Sequence, residues 1–267
     1  MLNLAIDTAT NAGRFALADG DRVLDYRPVN LQGSCSDALL PVVEAMLADA
    51  GRTRSALTGI GVTTGPGSFT GVRIGVATAK GLAWALGCDL VGVTTLEAMA
   101  AALLDAADPA VTLAVPVLDA RRGEVYAGLY RRTAGGWVEA VVAAGAATPD
   151  AWWARLAAVL ADPGAAAWGG DGAGLLLRKD DALRPELASR GVPSLRDWTA
   201  AHPVTAPVLA AAMGRTGAAL PRIHPFALVP TYMRASDAEV ARRIDVTPTA
   251  PDAAPADALG DGPGETA

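Results

Sequence analysis

The sequence predicts an α/β fold made of two similarly built lobes, and three observations support this prediction. Three short strands are followed by alternating helices and strands over residues 2–107. A similar order restarts at residue 113. Hydrophobic residues make up 51% of the 267-residue chain, which is enough to fill a substantial core.

Periodicity and turn residues define the elements of the first lobe. Five apolar runs bounded by turn residues predict strands, at 2–7, 13–19, 22–27, 59–64 and 89–94. Three stretches with apolar residues at helical spacing predict helices, at 36–50, 72–86 and 95–107. Ser36 or Asp37 is placed to cap the first helix, and Gly51 to end it.

The second lobe is predicted from a partial repeat. The run "LAVPVLDARRGEVYAGLYRR" (113–132) has the pattern of residues 2–20, namely an apolar strand ending in Asp, a polar turn and a second strand. Asp119 then corresponds to Asp7. The alternative is chance likeness, because hairpins in α/β proteins share these features. Three further elements are predicted, namely a helix at 149–161, a strand and glycine turn within 165–174, and a helix at 205–219.

We therefore expect the chain to divide into several parts. They are a first lobe at 1–107, a smaller second lobe at 108–204, a helix and segment returning to the first lobe at 205–236, and a disordered tail at 245–267. The tail is rich in Pro, Ala, Gly and Asp and has almost nothing to bury.

Composition limits the possible functions. A net charge of −6 argues against binding nucleic acid through a general basic field, so any such contact is local or supplied by a partner. The two cysteines, Cys35 and Cys88, suggest neither a disulfide framework nor a zinc site. No charged leader and no membrane-length apolar run are seen, so we expect a cytoplasmic protein.

The glycine-rich stretch "TTGPGSFTGVRIG" (63–75) joins a predicted strand to a helix, where backbone amides favour phosphate. The P-loop pattern fails, because Val72 and Arg73 stand where Lys and Ser or Thr are required. The GxSxG pattern of serine hydrolases also fails around Ser68. The only histidines, His202 and His224, each precede a proline and are expected to be ordinary loop residues.

A structural interpretation of the same stretch is that its glycines allow close packing. Gly71, Gly75, Ala79 and Ala83 are four residues apart and form one stripe along the predicted helix. Such a stripe allows a second helix to approach closely. We expect Ile74, Thr78, Leu82 and Leu86 to face the sheet, which leaves the stripe for another protein, although helix 36–50 is an internal alternative.

Several motifs together resemble the TsaB (YeaZ) family. They are "AIDTAT" (5–10), "GPGSFTGVRIG" (65–75), "GVTTLEAMA" (92–100), "DARRGEVYAGLY" (119–130) and "PTYMR" (230–234). The likeness covers residues 1–236, with the motifs in family order. It implies an actin-like ATPase, or ribonuclease-H-like, fold with two structurally related lobes.

The resemblance also implies a role in tRNA modification. The family is the partner subunit of TsaD, which carries the metal site and transfers threonylcarbamoyl to N6 of adenosine 37 in tRNAs that read codons starting with A. TsaE supplies an ATPase. Family helices corresponding to 36–50 and 72–86 bind TsaD, or form a homodimer without it. We accordingly expect partner contacts from Leu39, Val43, Met46, Gly71, Val72, Gly75, Val76, Ala79 and Lys80.

The resemblance gives few catalytic candidates. Asp7, Thr8 and Thr10 match the turn where actin-like ATPases hold phosphate and magnesium, so a vestigial nucleotide site is one hypothesis. ATP or ADP at the lobe cleft or partner interface is therefore possible, but none is required. Cys35 stands where many members have a histidine before the first helix. We expect a noncatalytic subunit.

Two other functions stay open, a stand-alone actin-like ATPase or small-molecule kinase and, less favoured, a glycoprotein peptidase. Arg121, Arg122 and Glu124 form a charged cluster that contacts tRNA, contacts TsaD or is simply a solvated turn. Leucine at Gly75 or Ala79 is expected to disturb partner binding and leave the monomer folded.

Overall fold

A computed structural model describes residues 1–10, 12–31, 35–160 (backbone only at 35–38), 166–177, 205–215 and 220–234. The predicted tail at 245–267, His202 and the end of the predicted helix 205–219 lie outside these residues.

The first sheet has five strands. They are β1 (Leu2–Asp7), β2 (Ala12–Asp19), β3 (Arg22–Asn30), β4 (Leu57–Thr63) and β5 (Asp89–Val93). Their order across the sheet is β3-β2-β1-β4-β5. The first three strands form the predicted antiparallel meander, while β4 and β5 run parallel to β1. The carboxyl ends of β1, β4 and β5 therefore lie at one edge of the sheet.

Three helices follow strands of this sheet. They are α1 (Cys35–Asp49), α2 (Phe69–Leu86) and α3 (Thr95–Ala106). α2 begins three residues before the predicted start, because the Ser68 side chain caps it by accepting a hydrogen bond from Gly71 N. Gly87, in the left-handed conformation, ends it.

The second sheet repeats the start of the first. Its strands are β6 (Leu113–Arg121), β7 (Glu124–Arg132), β8 (Val138–Ala147) and β9 (Ala166–Gly169), in the order β8-β7-β6-β9. As in the first sheet, the first strand lies between an antiparallel neighbour and a parallel one. Three further α-helices are α4 (Pro149–Ala157), α5 (Ala173–Leu177) and α6 (Thr205–Gly214), and a short 3₁₀ helix spans Arg54–Ala56.

The sequence analysis missed β8. Its pairing with β7 shifts register twice, and most of its side chains are partly or fully exposed. A strand without one consistently buried face does not need alternating polar and apolar residues, and "VEAVVAAGAA" shows no such alternation. The stretch is also rich in alanine, which is a poor strand former, so its sequence does not predict a strand.

Three apolar cores hold these layers together. α1 and α2 cover one face of the first sheet. α4 and α5 cover the outer face of the second sheet. The third core combines α3 and α6 with residues from both sheets, such as Ala5 of β1 and Leu118 of β6. The two sheets therefore share a continuous core through α3 and α6.

Within the described part of the chain, no helix is both long and apolar enough to cross a membrane.

Candidate functional site on the outer face of helix α2

The glycine-rich loop before α2 packs on the end of strand β1. Ser68 N donates a hydrogen bond to Ala9 O at 2.6 Å. A Cβ atom on Gly67 would lie 2.2 Å from that same oxygen. The lack of a side chain at Gly67 thus lets the loop backbone pack against, and hydrogen-bond to, the residues that follow β1.

The first turns of α2 also pack on this strand end. A Cβ on Gly71 would lie 2.1 Å from Thr8 O, and one on Gly75 would lie 2.1 Å from Thr8 Oγ1. The Thr8 hydroxyl donates to Gly71 O at 2.7 Å. These two glycines are required because a side chain at either position would overlap with Thr8.

The predicted orientation of the small-residue stripe is therefore wrong. Gly71, Gly75, Ala79 and Ala83 are buried inside the lobe, whereas Ile74, Thr78 and Leu82 are only partly buried. The stripe faces the sheet because it allows α2 to approach β1 closely.

The individual partner residues need the same correction. Seven apolar or glycine positions predicted to contact another protein are instead buried within the chain, at Leu39, Val43, Met46, Gly71, Val72, Gly75 and Val76. Ala79 is fully buried as well. Lys80 is partly buried, and its Nζ donates to Leu228 O at 2.9 Å. The periodicity located α1 and α2 correctly but selected their inner faces.

Asp7 lies in a closed polar network at the carboxyl edge of the first sheet. Its side chain is 1% exposed. Asp7 Oδ1 accepts hydrogen bonds from Thr63 Oγ1 at 2.7 Å and from Ala9 N at 3.0 Å. Asp7 Oδ2 accepts one from Thr205 Oγ1 of α6, and Arg14 Nη1 lies 4.0 Å away. The network joins β1, β2, β4 and α6.

These contacts do not fit the hypothesis of a vestigial nucleotide site. The polar side-chain atoms of Asp7 and Thr8 are buried and bonded within the chain. Thr10 is partly exposed, donates to Ala12 O and accepts from Arg14 Nη1. Binding of ATP or ADP at a partner interface or at the lobe cleft stays a prediction. Among the residues that the structure describes, no three His, Cys, Asp or Glu side chains are grouped to hold a metal ion.

The charged cluster of the second lobe forms the turn between β6 and β7. Arg121 and Arg122 have positive φ angles of 64° and 54°. Asp119 accepts hydrogen bonds from the Arg121 backbone and guanidinium, and its own N–H donates to Asp171. Both arginines are exposed, and Glu124 is partly buried. The geometry gives a well-defined turn, and contact with tRNA or TsaD stays a prediction.

The outer face of α2 carries a second row of small residues. Ala77, Gly81 and Ala85 are four residues apart and exposed. A Cβ on Gly81 would have no heavy atom within 4 Å. On α1, which packs beside α2, Leu40 and Pro41 are also exposed. The small residues of this row lie on the side of α2 that faces away from the sheet, next to the exposed Trp84.

A segment near the end of the described chain, residues 220–232, lies beside α2 and β5. Ile223 N donates to Leu90 O, and Thr231 N donates to Thr64 O. The buried Leu228 side chain packs into the core beneath α2. The segment also carries exposed aromatic side chains that lie against α2, Phe226 beside Trp84 and Tyr232 beside Phe69.

Comparison with known proteins places these features in a family. A family model described as TsaD, tRNA N6-adenosine threonylcarbamoyltransferase, matches residues 28–148. The tRNA threonylcarbamoyladenosine biosynthesis proteins TsaB of Bacillus subtilis and Escherichia coli are 41% and 36% identical to this chain over 133 residues. The match spans about half of this chain and 56% of either relative's length.

A solved structure, YeaZ from Pseudomonas aeruginosa, is 30% identical, with a TM-score of 0.50, over 64% of this chain and 75% of that protein. This chain belongs to the TsaB/YeaZ family. A second structure, an uncharacterised protein with similarity to the peptidase YeaZ from the same organism, is 26% identical with a TM-score of 0.60. It is matched over 87% of this chain and 99% of that one. The TsaB/YeaZ resemblance is thus confirmed, as is the actin-like fold with two related lobes.

Two features of this site were not predicted from the sequence. The sequence predicts that Gly71 and Gly75 of the family motif face a partner, whereas in the structure both glycines pack against Thr8. The exposed rings of Phe69, Trp84, Phe226 and Tyr232 were overlooked as a group. The spacing of Phe69, Arg73 and Trp84 on one side of α2 is the available signal, but nothing in the sequence places residues 220–232 beside it.

Proposed function

We propose that this chain is a noncatalytic partner subunit of the machinery that installs N6-threonylcarbamoyl on adenosine 37 of tRNAs reading codons that start with A. Its direct partner is a TsaD-type transferase, with a TsaE-type ATPase as the third component. The names of the Bacillus subtilis and Escherichia coli relatives support this proposal.

The observation that carries the partner role is the outer surface of α1 and α2. Ala77, Gly81 and Ala85 provide a shallow apolar face on which a helix can pack at a short interaxial distance. Leu40, 49% exposed, adds an apolar contact on α1. Exposed apolar surface of this kind is typical of protein interfaces.

We expect a TsaD-type protein to have a helix pair that matches this surface in shape. The TsaD family model matches residues 28–148, which include α1 and α2. A partner built on the same lobe presents a similar helix pair, so the two chains would pair across an approximate twofold axis. A homodimer of this chain through the same face is then expected when the partner is absent.

The noncatalytic role is supported by the Asp7 network. In the actin-like ATPases that the fold resembles, the corresponding carboxylate serves phosphate and magnesium. Here both of its oxygens accept hydrogen bonds from the chain itself. We therefore place the transfer chemistry on the TsaD-type subunit, with tRNA reached through the complex, any ATP or ADP at the subunit interface, and the whole assembly in the cytoplasm.

Reconstitution tests the proposal. Purified TsaD-type and TsaE-type proteins from the same organism are incubated with tRNA, threonine, bicarbonate, ATP and the enzyme that makes threonylcarbamoyl-adenylate. We expect modified adenosine, measured by mass spectrometry, only when this chain is present. Size-exclusion chromatography of this chain mixed with the TsaD-type protein should give one discrete complex. Full modification without this chain would contradict the proposal.

A further inference from the structure

We propose that Arg73 selects the partner of this chain, by binding a carboxylate that a TsaD-type protein supplies and that a second copy of this chain does not. This inference rests on the proposed function, which places the outer side of α2 in the interface with that protein. It specifies the charge that the partner carries opposite Arg73, and it gives a physical reason why two different subunits pair more tightly than two identical ones.

Arg73 belongs to the same row of α2 as the small residues of its outer side. It lies four residues before Ala77, and Gly81 and Ala85 follow at the same spacing. The Arg73 side chain is exposed. A partner helix that packs on the small residues therefore covers Arg73 as well. An arginine that is covered in an interface without a counter-charge weakens binding, because its charge loses water and gains no partner.

The Arg73 guanidinium is held in place before any partner binds. Its central carbon lies 3.7 Å from the centroid of the Phe69 ring, and its Nε donates to Tyr232 Oη at 2.7 Å. The described residues provide no hydrogen-bond or ion-pair partner for its Nη1 and Nη2 atoms. These two nitrogens form a planar fork that matches the two oxygens of a carboxylate. Because the fork is already oriented, little conformational entropy is lost when a carboxylate binds.

The segment 220–232 helps to orient this arginine. Tyr232, which accepts the hydrogen bond from Arg73, follows a residue that is bonded to the loop after β4. Thr231 N donates to Thr64 O at 2.7 Å, and the hydroxyl oxygens of the same two threonines lie 2.9 Å apart. The position of the Arg73 side chain thus depends on two elements, α2 and this segment.

A second copy of this chain offers no unpaired carboxylate among its described side chains on this face. α2 and residues 220–232 contain no Asp or Glu. The described acidic side chains of α1 are Glu44 and Asp49, and each already pairs with an arginine of its own chain. Two copies paired through this face would therefore bring two arginines into the interface without counter-charges, which disfavours the homodimer.

A different subunit removes this penalty. A partner with an Asp or Glu opposite Arg73 forms a charge-assisted hydrogen bond to the guanidinium, and a bidentate one adds geometric specificity. The same arginine then strengthens the pairing with that partner and weakens the pairing with a second copy. Specificity of this kind depends on the difference between the two affinities, and one residue changes both.

The test measures the affinity of Arg73 variants for the purified TsaD-type protein by isothermal titration at low and high salt. Arg73→Gln removes the charge, so it should bind about thirtyfold more weakly at low salt, with a smaller salt dependence than wild type. Arg73→Lys keeps the charge without the planar fork and should be intermediate. Arg155→Gln is the matched control, because it changes an exposed arginine on α4 and should bind like wild type.

Self-association provides the second half of the test. Because Arg73→Gln removes an uncompensated charge from the pairing of two copies, sedimentation velocity should show self-association that is unchanged or stronger. Thermal unfolding establishes that each variant folds.

Wild-type partner affinity in folded Arg73→Gln would overturn the inference and leave the proposed function intact. Equal weakening of partner binding and self-association would also overturn it, since Arg73 would then contribute to packing only. If the wild-type chain forms no complex with the TsaD-type protein, the proposed function itself fails, and the inference fails with it.

Discussion

Gly75 of α2 lies so close to Thr8 at the end of β1 that a Cβ atom on Gly75 would be 2.1 Å from Thr8 Oγ1. One turn earlier, the carbonyl of Gly71 accepts the hydrogen bond of the same hydroxyl. Helix α2 and strand β1 are thus fixed at contact distance. The row of small residues serves the packing of this lobe, and a partner must use the opposite side of the helix.

Replacing Gly75 with leucine should therefore destabilise the fold, contrary to the expectation from sequence. The new side chain meets the side chain of the buried Thr8, whose hydroxyl is bonded to Gly71 O and cannot move easily, so we expect a loss of about 3 kcal/mol in urea denaturation. Gly81→Ala is the control, because its Cβ enters open space. It should leave the free energy of unfolding unchanged or raise it by up to about 1 kcal/mol. Normal stability of the Gly75 variant would show that α2 packs differently.

Thr205→Val should reveal the cost of weakening the Asp7 network. The valine keeps the shape but removes the hydroxyl that donates to Asp7 Oδ2, leaving a buried carboxylate with one partner fewer. Hydrogen bonds to charged groups contribute about 1.5–3 kcal/mol, and we expect a loss of stability in that range. Thr205→Ser retains the donor and should be much milder. Equal effects of the two variants would mean that the hydroxyl contributes little.

Magnesium and ATP should give no measurable heat when titrated into the isolated chain. The reason is that Asp7 and Thr8, the side chains that match a phosphate and magnesium site, are already bonded within the protein. Tight binding that Asp7→Asn abolishes would support the stand-alone ATPase or kinase instead.

Tyr130 should make stability depend on pH in the alkaline range. Burial raises the pKa of its hydroxyl above the ordinary value of 10.0, and the charge of Glu97 raises it further, against an opposing hydrogen bond with Thr94. Above about pH 10, Tyr130 of the unfolded chain releases its hydroxyl proton while Tyr130 of the folded chain keeps it. Stability therefore falls as pH rises, by at most about 1.4 kcal/mol per pH unit.

Urea denaturation of wild type and Tyr130→Phe at several pH values above 9 isolates this contribution. The free energy of unfolding of the wild type should fall more steeply with pH than that of the variant, and this difference in slope should disappear near neutral pH. Parallel curves would contradict the assignment to Tyr130.

Much of the fold could be predicted because local patterns were strong. The meander β1–β3, the helices α1–α3 and the hairpin β6–β7 all have clear periodicity or turn residues. β8 was not predicted, because its polar and apolar residues do not alternate. Its pairing with β7 is irregular and most of its side chains are only partly buried or exposed, so neither face requires a run of apolar residues.

The site was harder to predict because it depends on contacts between distant residues. Spacing shows that Gly71, Gly75 and Ala79 share one face of α2, but Ala77, Gly81 and Ala85 also share one. Only the approach to Thr8, more than sixty residues away for Gly71, determines which face is buried. Likewise, Tyr232 and Arg73 are 159 positions apart, so no local pattern brings them together.

The most direct test of the account is the affinity between this chain and its TsaD-type partner, measured by isothermal titration for Gly81→Leu beside Gly81→Ala. The account predicts that Gly81→Leu folds normally and binds at least tenfold more weakly, about 1.4 kcal/mol, because leucine fills the shallow outer face of α2. Gly81→Ala should bind nearly as well as wild type. Equal, tight binding by the leucine variant would contradict the account and place the partner elsewhere.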